Sequence, residues 1–188
     1  VFEKSNHIGG NWVYRDAEGH SSVYETTHII SSRYYSAYED FPFPEGTPAY
    51  PHHSHLYQYF NDYADHFGVR AKIQFQTEIL NANYDPTWQR WVLKIKNQAN
   101  EVRVEAFDFL LVANGHHWNP RYPSYDGKFT GKWLHSHEFK HNRPFKDQRV
   151  LVIGAGNSGA DVAVECSRVT KHTSISVRRS QWFLPKFM

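Results

Sequence analysis

The sequence has a single cysteine, Cys166, among its 188 residues. One cysteine cannot form an internal disulfide or a C-x-x-C redox pair, which excludes disulfide scaffolds and dithiol redox sites within this stretch. The sequence also lacks an apolar run of the roughly 20 residues that a membrane-spanning helix needs. We therefore interpret Cys166 as a small core residue and expect no membrane span here.

An excess of charge of one sign is lacking as well, because 21 basic residues are balanced by 19 acidic ones. A formal net charge of +2 gives no electrostatic reason to expect nucleic acid or an anionic membrane as a partner. The 13 histidines form short clusters, but the cysteine partners of a zinc site are missing, and we expect no metal. Aromatic residues are abundant at 16%, which suggests aromatic-lined clefts as well as a core.

The clearest motif follows a short apolar segment, Arg149 to Ile153, which predicts a buried strand. Gly154, Gly156 and Gly159 come next with the spacing G-x-G-x-x-G, and an apolar helical segment follows them. In a dinucleotide-binding turn these glycines allow the tight turn, the approach of a pyrophosphate and close packing of helix on strand. The phosphates would lie at the helix N-terminus, near Asn157 and Ser158. The alternative is a glycine-rich turn without a ligand.

A second predicted strand, Thr173 to Val177, ends in the pair Arg178-Arg179. Arg178 lies 24 residues after Gly154, close to where an NAD enzyme carries its ribose-binding acid. An arginine there accommodates the 2′-phosphate of NADP instead, because guanidinium matches phosphate geometry with paired donors. We therefore favour NADP(H) over NAD(H). The alternative is two solvated arginines that close a strand.

The N-terminal residues suggest the end of a second nucleotide site. Val1 to Glu3 predict a strand that finishes in an acid, which suits a ribose contact, although its glycine loop would lie upstream of Val1. The segment Gly9 to Trp12 combines paired glycines, which let backbone approach a ligand, with the flat indole of Trp12. Trp12 either stacks near a ligand or packs in the core, and Lys4 either binds the ligand or is solvated.

The region between these motifs has a clear element pattern. Residues 13–55 are rich in loops, and apolar spacings of three and four predict an amphipathic helix from His53 to Phe67 with Gly68 as its C-cap. Short strands follow in a β-meander, at residues 73–75, 78–84, 91–96 and 102–106. The apolar run from Phe107 to Ala113 predicts a buried, parallel strand that ends in the turn Asn114-Gly115.

These motifs together resemble the flavin-containing monooxygenases that have two dinucleotide-binding domains. Glu3 with Gly9 to Trp12 resembles the end of the FAD half-site, and the glycine motif at Gly154 resembles the NADPH site. Between them lies the family fingerprint F-x-G-x-x-x-H-x-x-x-(Y/F), at Phe129, Gly131, His135 and Phe139. Related Baeyer–Villiger enzymes usually end it in Trp, so Phe139 favours the monooxygenase branch. The segment Asp108 to Gly115 resembles the strand and turn that return to the FAD domain.

The resemblance implies an α/β fold of the FAD/NAD(P)-binding, Rossmann-like three-layer type, with a β-meander. It implies two partial domains, a FAD-binding domain at residues 1–140 and the start of an NADPH-binding domain at 141–188. The implied FAD contacts are Glu3, Lys4, Gly9, Gly10, Asn11, Trp12, Ile79 and Ala113. The implied NADPH contacts are Tyr24, Gly154, Gly156, Asn157, Ser158, Gly159, Arg178 and Arg179.

The family's activity is the oxygenation of soft nucleophiles, amine nitrogen or sulfide sulfur, by O2 through a flavin C4a-hydroperoxide, as in N,N-dimethylaniline monooxygenase activity. No catalytic acid/base pair is expected, because the cofactor carries the chemistry. Many members hold an Asn near the flavin where this sequence has Ile30, which cannot donate a hydrogen bond. The polar residues His28, Thr27 and Ser31 lie nearby in the sequence, and of these we take His28 and Ser31 as candidate polar neighbours of the flavin.

Alternative functions are a Baeyer–Villiger ketone monooxygenase, a flavin disulfide reductase, which would need a cysteine pair, and a nucleotide-binding fragment without catalysis. The sequence is interpreted as an internal fragment that is inactive by itself, since the FAD glycine loop is missing. We expect a small-molecule substrate and O2 as partners and a cytoplasmic location. A homodimer is compatible with the sequence.

Overall fold

The structure is a computed structural model that describes residues 1–15 and 20–183. Its strands and α-helices, in chain order, are α1 (Arg33–Ser36), α2 (His53–His66), β1 (Glu78–Asp85), β2 (Arg90–Lys96), β3 (Val102–Phe107), β4 (Arg149–Ile153), α3 (Asn157–Ser167) and β5 (His172–Ser176). Short 3-10 helices lie at Gly10–Trp12, Arg70–Lys72, Ser136–Glu138 and Arg143–Phe145. The chain forms two compact units. The first comprises Val1–Gly10 and His55–Gly115, and the second comprises Asn11–Ser54 and the chain from His116 onward.

The first unit is built on the predicted β-meander. Strands β1, β2 and β3 pair antiparallel in that order, and the register of β1 on β2 shifts between Ile79 and Asn81. Leu93 and Ile95 of β2 are 2% and 0% exposed, because alternate residues of a strand face the same side and this side is covered. The predicted strand at residues 73–75 is reduced to a single parallel bridge between Gln74 and Phe2.

Helix α2 confirms the amphipathic pattern. It runs from His53 to His66, and its buried side chains include Leu56, Tyr59 and Ala64. Gly68 follows with a φ of 61°, the left-handed conformation that ends helices and that glycine adopts without strain.

The second unit contains a parallel pair of strands joined by a helix. Strand β4 pairs with β5 from Arg149 opposite His172 to Ile153 opposite Ser176, and α3 connects them. Cys166 of α3 is fully buried in a cluster with Tyr24 and Phe139, which confirms its prediction as a core residue.

Two predictions of burial are wrong. The run from Phe107 to Ala113 is not a strand beyond Phe107, and Phe109 and Leu111 are 88% and 92% exposed. A strand of a parallel sheet needs a neighbouring strand as its hydrogen-bonding partner. Within the described part of the chain, no strand pairs with residues 108–113. Strand β4 is present as predicted, but Leu151 and Ile153 on one of its faces are exposed, because α3 covers only the other face.

Candidate functional site

The glycine loop between β4 and α3 has the geometry of an anion-binding turn. Gly154 has a φ of 99°, a left-handed conformation that a side chain would strain. Its amide donates to the carbonyl of Ser176 at 2.9 Å, which joins the turn to the end of β5. Ala160 donates the first i→i−4 bond of α3, to Gly156 at 2.9 Å. The amides of residues 157–159 therefore have no acceptor within the helix ladder, as an incoming phosphate requires.

The other two glycines of the motif have different surroundings. A Cβ on Gly159 would lie 2.1 Å from the carbonyl oxygen of Gly154, so only glycine lets the helix pack this closely on the turn. A Cβ on Gly156 would meet nothing within 4 Å, and the backbone there has an ordinary φ of −67°. Protein packing thus accounts for Gly159, whereas the open space at Gly156 fits the approach of a ligand.

Arg178 and Arg179 lie exposed just beyond the carboxyl end of β5. Because β5 is parallel to β4, this end lies at the same edge of the strand pair as the glycine loop. The two guanidinium groups are therefore at the edge where a bound dinucleotide would place its adenosine ribose. Their contact with a 2′-phosphate stays a prediction.

Tyr24, a predicted NADPH neighbour, reaches the helix of the glycine motif. Its hydroxyl donates to Oδ2 of Asp161 in α3 at 2.5 Å, and its ring packs edge-to-face on Phe139 with centroids 5.6 Å apart. Burial, followed by the hydrogen bond to Asp161, raises the pKa of Tyr24 far above its ordinary value, so the phenol stays a donor. Asp161 did not enter our sequence interpretation, although an acid two residues after the third glycine was a readable signal.

The fingerprint residues have structural roles in the second unit. Phe139 is 2% exposed and stacks on Phe145 with centroids 5.8 Å apart. His135 caps the Ser136–Glu138 turn: its Nδ1 accepts from the amide of His137 at 3.1 Å, and its own amide donates to Glu138 at 2.8 Å.

The exposed ring of Phe129 lies over Gly131, where a Cβ would come within 2.6 Å of it. The capping bonds fix His135 locally, within the connector that we define as residues 127–143.

The predicted FAD contacts Glu3 and Lys4 already have partners in the first unit. A Glu3 carboxylate oxygen accepts from the amide and the hydroxyl of Ser5, at 2.7 and 2.6 Å. The Lys4 ammonium pairs with Glu78 at 2.7 Å, and Lys96 pairs with the other oxygen of Glu78 at 2.7 Å. Hydrogen bonds from these two lysines lower the pKa of Glu78 to about 2. Lys4 is thus held by a carboxylate rather than solvated alone.

The remaining predicted FAD residues come from three separate segments of the sequence, at residues 9–12, 79 and 113. Gly9 and Gly10 both have positive φ, and Gly10 begins the 3-10 turn that ends at the half-buried Trp12. The side-chain oxygen of Asn11 accepts from the amide of Ser22 at 2.8 Å and from its hydroxyl at 3.0 Å. Ile79 lies at the register shift of β1, and Ala113 lies exposed in the irregular segment after β3.

His28, one candidate polar neighbour of the flavin, belongs to a histidine cluster that we define as His28, His52 and His53. The ring of His28 packs edge-to-face on His52 at 5.0 Å, and its Nδ1 lies 2.8 Å from the carbonyl of Thr26. His52 lies 3.9 Å from His53, ring to ring. Burial, and then the charge of His52, lowers the pKa of His53 to about 4. The sequence showed the histidines but not that His28 joins them.

The other candidate, Ser31, shares a hydrogen bond of 2.6 Å with the hydroxyl of Ser36. Ile30, which the sequence analysis places at the family's Asn position, is 65% exposed. The assignment of His28 and Ser31 as neighbours of a flavin stays a prediction.

A histidine pair in the connector has the spacing of a zinc motif. Residues His137 to His141 read H-E-x-x-H, the spacing that binds zinc when it lies on a helix. Here the 3-10 turn ends at Glu138, the buried Phe139 follows, and Glu138 accepts from the hydroxyl of Tyr122 at 3.1 Å. Within residues 1–15 and 20–183, no three His, Cys, Asp or Glu side chains are arranged to hold a metal ion. None of the helices in this part of the chain is long and apolar enough to cross a bilayer.

Several known proteins are similar to this chain. The family model for flavin-binding monooxygenase-like proteins matches residues 1–188. The chain is 38% identical to flavin-containing monooxygenase 5 of Rattus norvegicus, over 97% of this chain and 36% of the rat protein. It is 36% identical to dimethylaniline monooxygenase (N-oxide-forming) 2 of Macaca mulatta, over 98% of this chain and 36% of that protein.

Among solved structures, S-allyl-L-cysteine S-oxygenase from Allium sativum superposes with a TM-score of 0.90 at 27% identity, over 98% of this chain and 46% of that one. The chain thus spans about a third of the length of the curated relatives it matches, 36% in both cases.

Proposed function

The chain belongs to the flavin-binding monooxygenase-like family, and from this we propose that the whole protein is a FAD- and NADPH-dependent monooxygenase. The observation that carries the proposal is the glycine loop of the second unit, in which Gly159 packs on Gly154 while the space at Gly156 stays open. The relatives are named as monooxygenases, which are oxidoreductases. Because the chain spans only part of their length, activity, cofactors and substrates of the whole protein are our inference.

NADPH would be held by the loop from Gly154 to Gly159, with its pyrophosphate on the amides at the start of α3. The N-terminus of α3 carries the positive end of the helix dipole, which favours the negative pyrophosphate. Arg178 and Arg179 follow β5 at the same edge and would bind the 2′-phosphate that distinguishes NADPH from NADH. These groups bind and orient the hydride donor.

FAD would be held in part by the N-terminal stretch from Glu3 to Trp12. The fit rests on Gly10, which has a φ of 49° and nothing within 4 Å of a Cβ, so that a ligand can approach its backbone. Bound flavin would supply the oxygen chemistry, the activation of O2 for transfer to the substrate. The protein's part is to orient the two cofactors and to exclude water from the reaction.

The substrate class we propose is a soft nucleophile, an amine nitrogen or a sulfide sulfur. Two similar proteins are named for such reactions, one as N-oxide-forming and one as an S-oxygenase. The fingerprint ends in Phe139, as in the heteroatom branch of the family. With Ile30 in place of Asn, polar contact to the flavin is left to His28 and Ser31, and this replacement bears on the balance between heteroatom and ketone oxidation.

The test is to purify the full-length protein, determine its FAD content and measure NADPH oxidation with sulfides, amines and ketones under O2. We expect a yellow protein that converts sulfides or amines with little release of hydrogen peroxide. A protein without flavin, or one that does not oxidise NADPH, contradicts the proposal. Conversion of ketones to esters alone identifies a Baeyer–Villiger enzyme instead. The variant His28→Ala tests whether His28 lies beside the flavin ring. Unchanged coupled oxygenation and NADPH oxidation in this variant would contradict that hypothesis.

A further inference from the structure

Tyr24 is far from the glycine motif in sequence but is bonded to its helix. The hydroxyl of Tyr24 donates to Asp161, which lies in α3 two residues after Gly159. The bond joins residues 137 positions apart. We propose, on the basis of the proposed function, that Tyr24 is a positioning residue: it holds the start of α3 in the orientation that binds NADPH, acting through Asp161 rather than by touching the cofactor.

The segment that carries Tyr24 is itself fixed to the connector before β4. The amide of Glu25 donates to the carbonyl of Lys140 at 2.8 Å, and the Glu25 carboxylate pairs with Arg143 at 2.7 Å. The ammonium of Lys140 donates back to the carbonyls of Ser21 and Val23. The backbone around Tyr24 is therefore fixed to the connector, while its hydroxyl is bonded to Asp161. The tyrosine thus links α3 to a fixed part of the second unit.

Packing also holds α3, and the Tyr24–Asp161 bond adds a directional contact to its first turns. Near its C-terminus the helix is held by buried Cys166 and by a bond from the Asn142 side-chain amide to the carbonyl of Glu165 at 2.9 Å. At its N-terminus Gly159 packs on the backbone of Gly154, and Val162 packs against the buried cluster. The Tyr24–Asp161 bond lies between these contacts, in the half of α3 that would receive the phosphates.

Electrostatics give the same bond a second effect. Asp161 is the only carboxylate among residues 157–164 of α3, close to the place where we put the pyrophosphate. An Asp161 carboxylate without its donor would repel the phosphates at short range, whereas a hydrogen-bonded one has its charge partly neutralised. Burial keeps Tyr24 protonated, so this donor persists across the working pH range.

The experiment is a double-mutant cycle on the flavin-loaded, full-length protein with Tyr24→Phe, Asp161→Ala and the double variant. The dissociation constant of NADP⁺, read from the flavin absorption spectrum, is the main measurement. Tyr24→Phe is expected to weaken binding about tenfold and Asp161→Ala by less, because only Tyr24→Phe leaves an unpaired carboxylate near the phosphates. The double change should match Asp161→Ala, because contacting residues couple. In steady state the loss falls on KM for NADPH more than on kcat.

Matched controls separate positioning from packing. Asp161→Asn keeps an acceptor for the tyrosine and should restore NADP⁺ affinity to within about twofold, on the ordinary scale of a retained neutral hydrogen bond. Tyr84→Phe removes a hydroxyl from an exposed tyrosine of β1 and should change nothing. If Tyr24→Phe does not fold, Asp161→Ala and its rescue by Asp161→Asn still decide the question.

Three results would overturn the proposal: unchanged NADP⁺ affinity in Tyr24→Phe or Asp161→Ala, a lowered melting temperature as the sole effect, or strictly additive losses. Additive losses would mean that Tyr24 touches the cofactor directly, as the sequence alone suggested. A wild-type protein that neither binds NADP⁺ nor oxidises NADPH would instead refute the proposed monooxygenase function, so the two failures are distinguishable.

Discussion

The sequence predicts strands of a nucleotide-binding fold in two places, the β4–α3–β5 segment and the apolar run at 107–113. Only the β4–α3–β5 segment forms its predicted strands. In the first, β4 pairs with β5 along its whole length and α3 covers one face of β4. In the second, the chain is irregular after Phe107 and Leu111 is almost fully exposed. The difference is that β4, α3 and β5 supply each other's partners within 28 residues, counting from Arg149 to Ser176.

This contrast separates local from long-range information. A glycine at a turn, a helix N-terminus and two short strands are each specified by neighbouring residues, so the motif is self-contained. An apolar run states only that a segment should be buried, and the partner that buries it has to come from elsewhere. The predictions below test the contrast, beginning with the largest expected effect.

Replacing Gly159 by Ala should break the self-contained segment. The new Cβ would lie 2.1 Å from a backbone oxygen of Gly154, and no rotamer change relieves a backbone clash. We expect a loss of about 3 kcal/mol or more in unfolding free energy, measured by urea denaturation.

Gly156→Ala is the matched control for that change. Its Cβ has nothing within 4 Å, so stability should stay within about 1 kcal/mol, while NADP⁺ binding falls by about 100-fold, the equivalent of 2.8 kcal/mol. Equal stability of the two variants would contradict the assigned packing role of Gly159.

Truncating Ile95 and Leu111 to Ala compares a covered strand with the uncovered run. Ile95 is fully buried in β2, so Ile95→Ala should cost about 2–5 kcal/mol in unfolding free energy. Leu111→Ala in the same 188-residue chain should cost less than about 0.5 kcal/mol, because the side chain is already in water. A large cost at Leu111 would show that the run is buried after all.

Arg178→Ala sharpens the assignment of the β5 edge. Loss of a charge-assisted pair with the 2′-phosphate should weaken NADPH binding by about 10- to 100-fold and leave NADH binding unchanged. Arg121→Ala, at another exposed arginine of the second unit, is the control and should change neither. Equal losses for both nucleotides would mean that Arg178 does not discriminate between them.

The histidine cluster predicts a smaller, pH-dependent effect outside the glycine motif. Folded His53 stays neutral until about pH 4, whereas unfolded histidine takes up a proton near pH 6.5. Between these values only the unfolded state gains the proton, so stability is present above pH 6.5 and falls as the pH drops, by up to about 1.4 kcal/mol per unit.

Urea midpoints of wild type and His53→Gln at pH 7.5 and 5.0 measure this effect. The slope should be smaller in the variant, and an unchanged slope would contradict the assignment. His172→Asn, at an exposed histidine of β5, is the control.

Much of this molecule could be predicted because its signals are local. The helix starting at His53, the β-meander, the β4–α3–β5 segment and the buried Cys166 agree with the sequence, and the family and the α/β, Rossmann-like fold class are confirmed. The division into a FAD domain at 1–140 and an NADPH domain from 141 stays a prediction. Long-range partners were not predictable: no periodicity showed that Tyr24 donates to Asp161 or that Lys4 pairs with Glu78.

For the fingerprint residues, the sequence identified the positions, whereas their contacts are known only from the structure. Phe139 and His135 were found from the fingerprint, but that Phe139 is a core side chain and His135 caps a turn follows only from their contacts. The segment from His137 to His141 has a metal-binding spacing in sequence, but its side chains are not arranged to hold a metal ion, because the segment is not an α-helix.

We propose that the glycine loop and its arginines deliver NADPH to a flavin. The most direct measurement is anaerobic stopped-flow mixing of the full-length, flavin-loaded protein with NADPH and with NADH, followed by the flavin absorbance. We expect NADPH to bleach the flavin at least about tenfold faster than NADH at equal, subsaturating concentration, as a charge-assisted phosphate contact allows. No bleaching by NADPH, or equal rates with the two nucleotides, would contradict it.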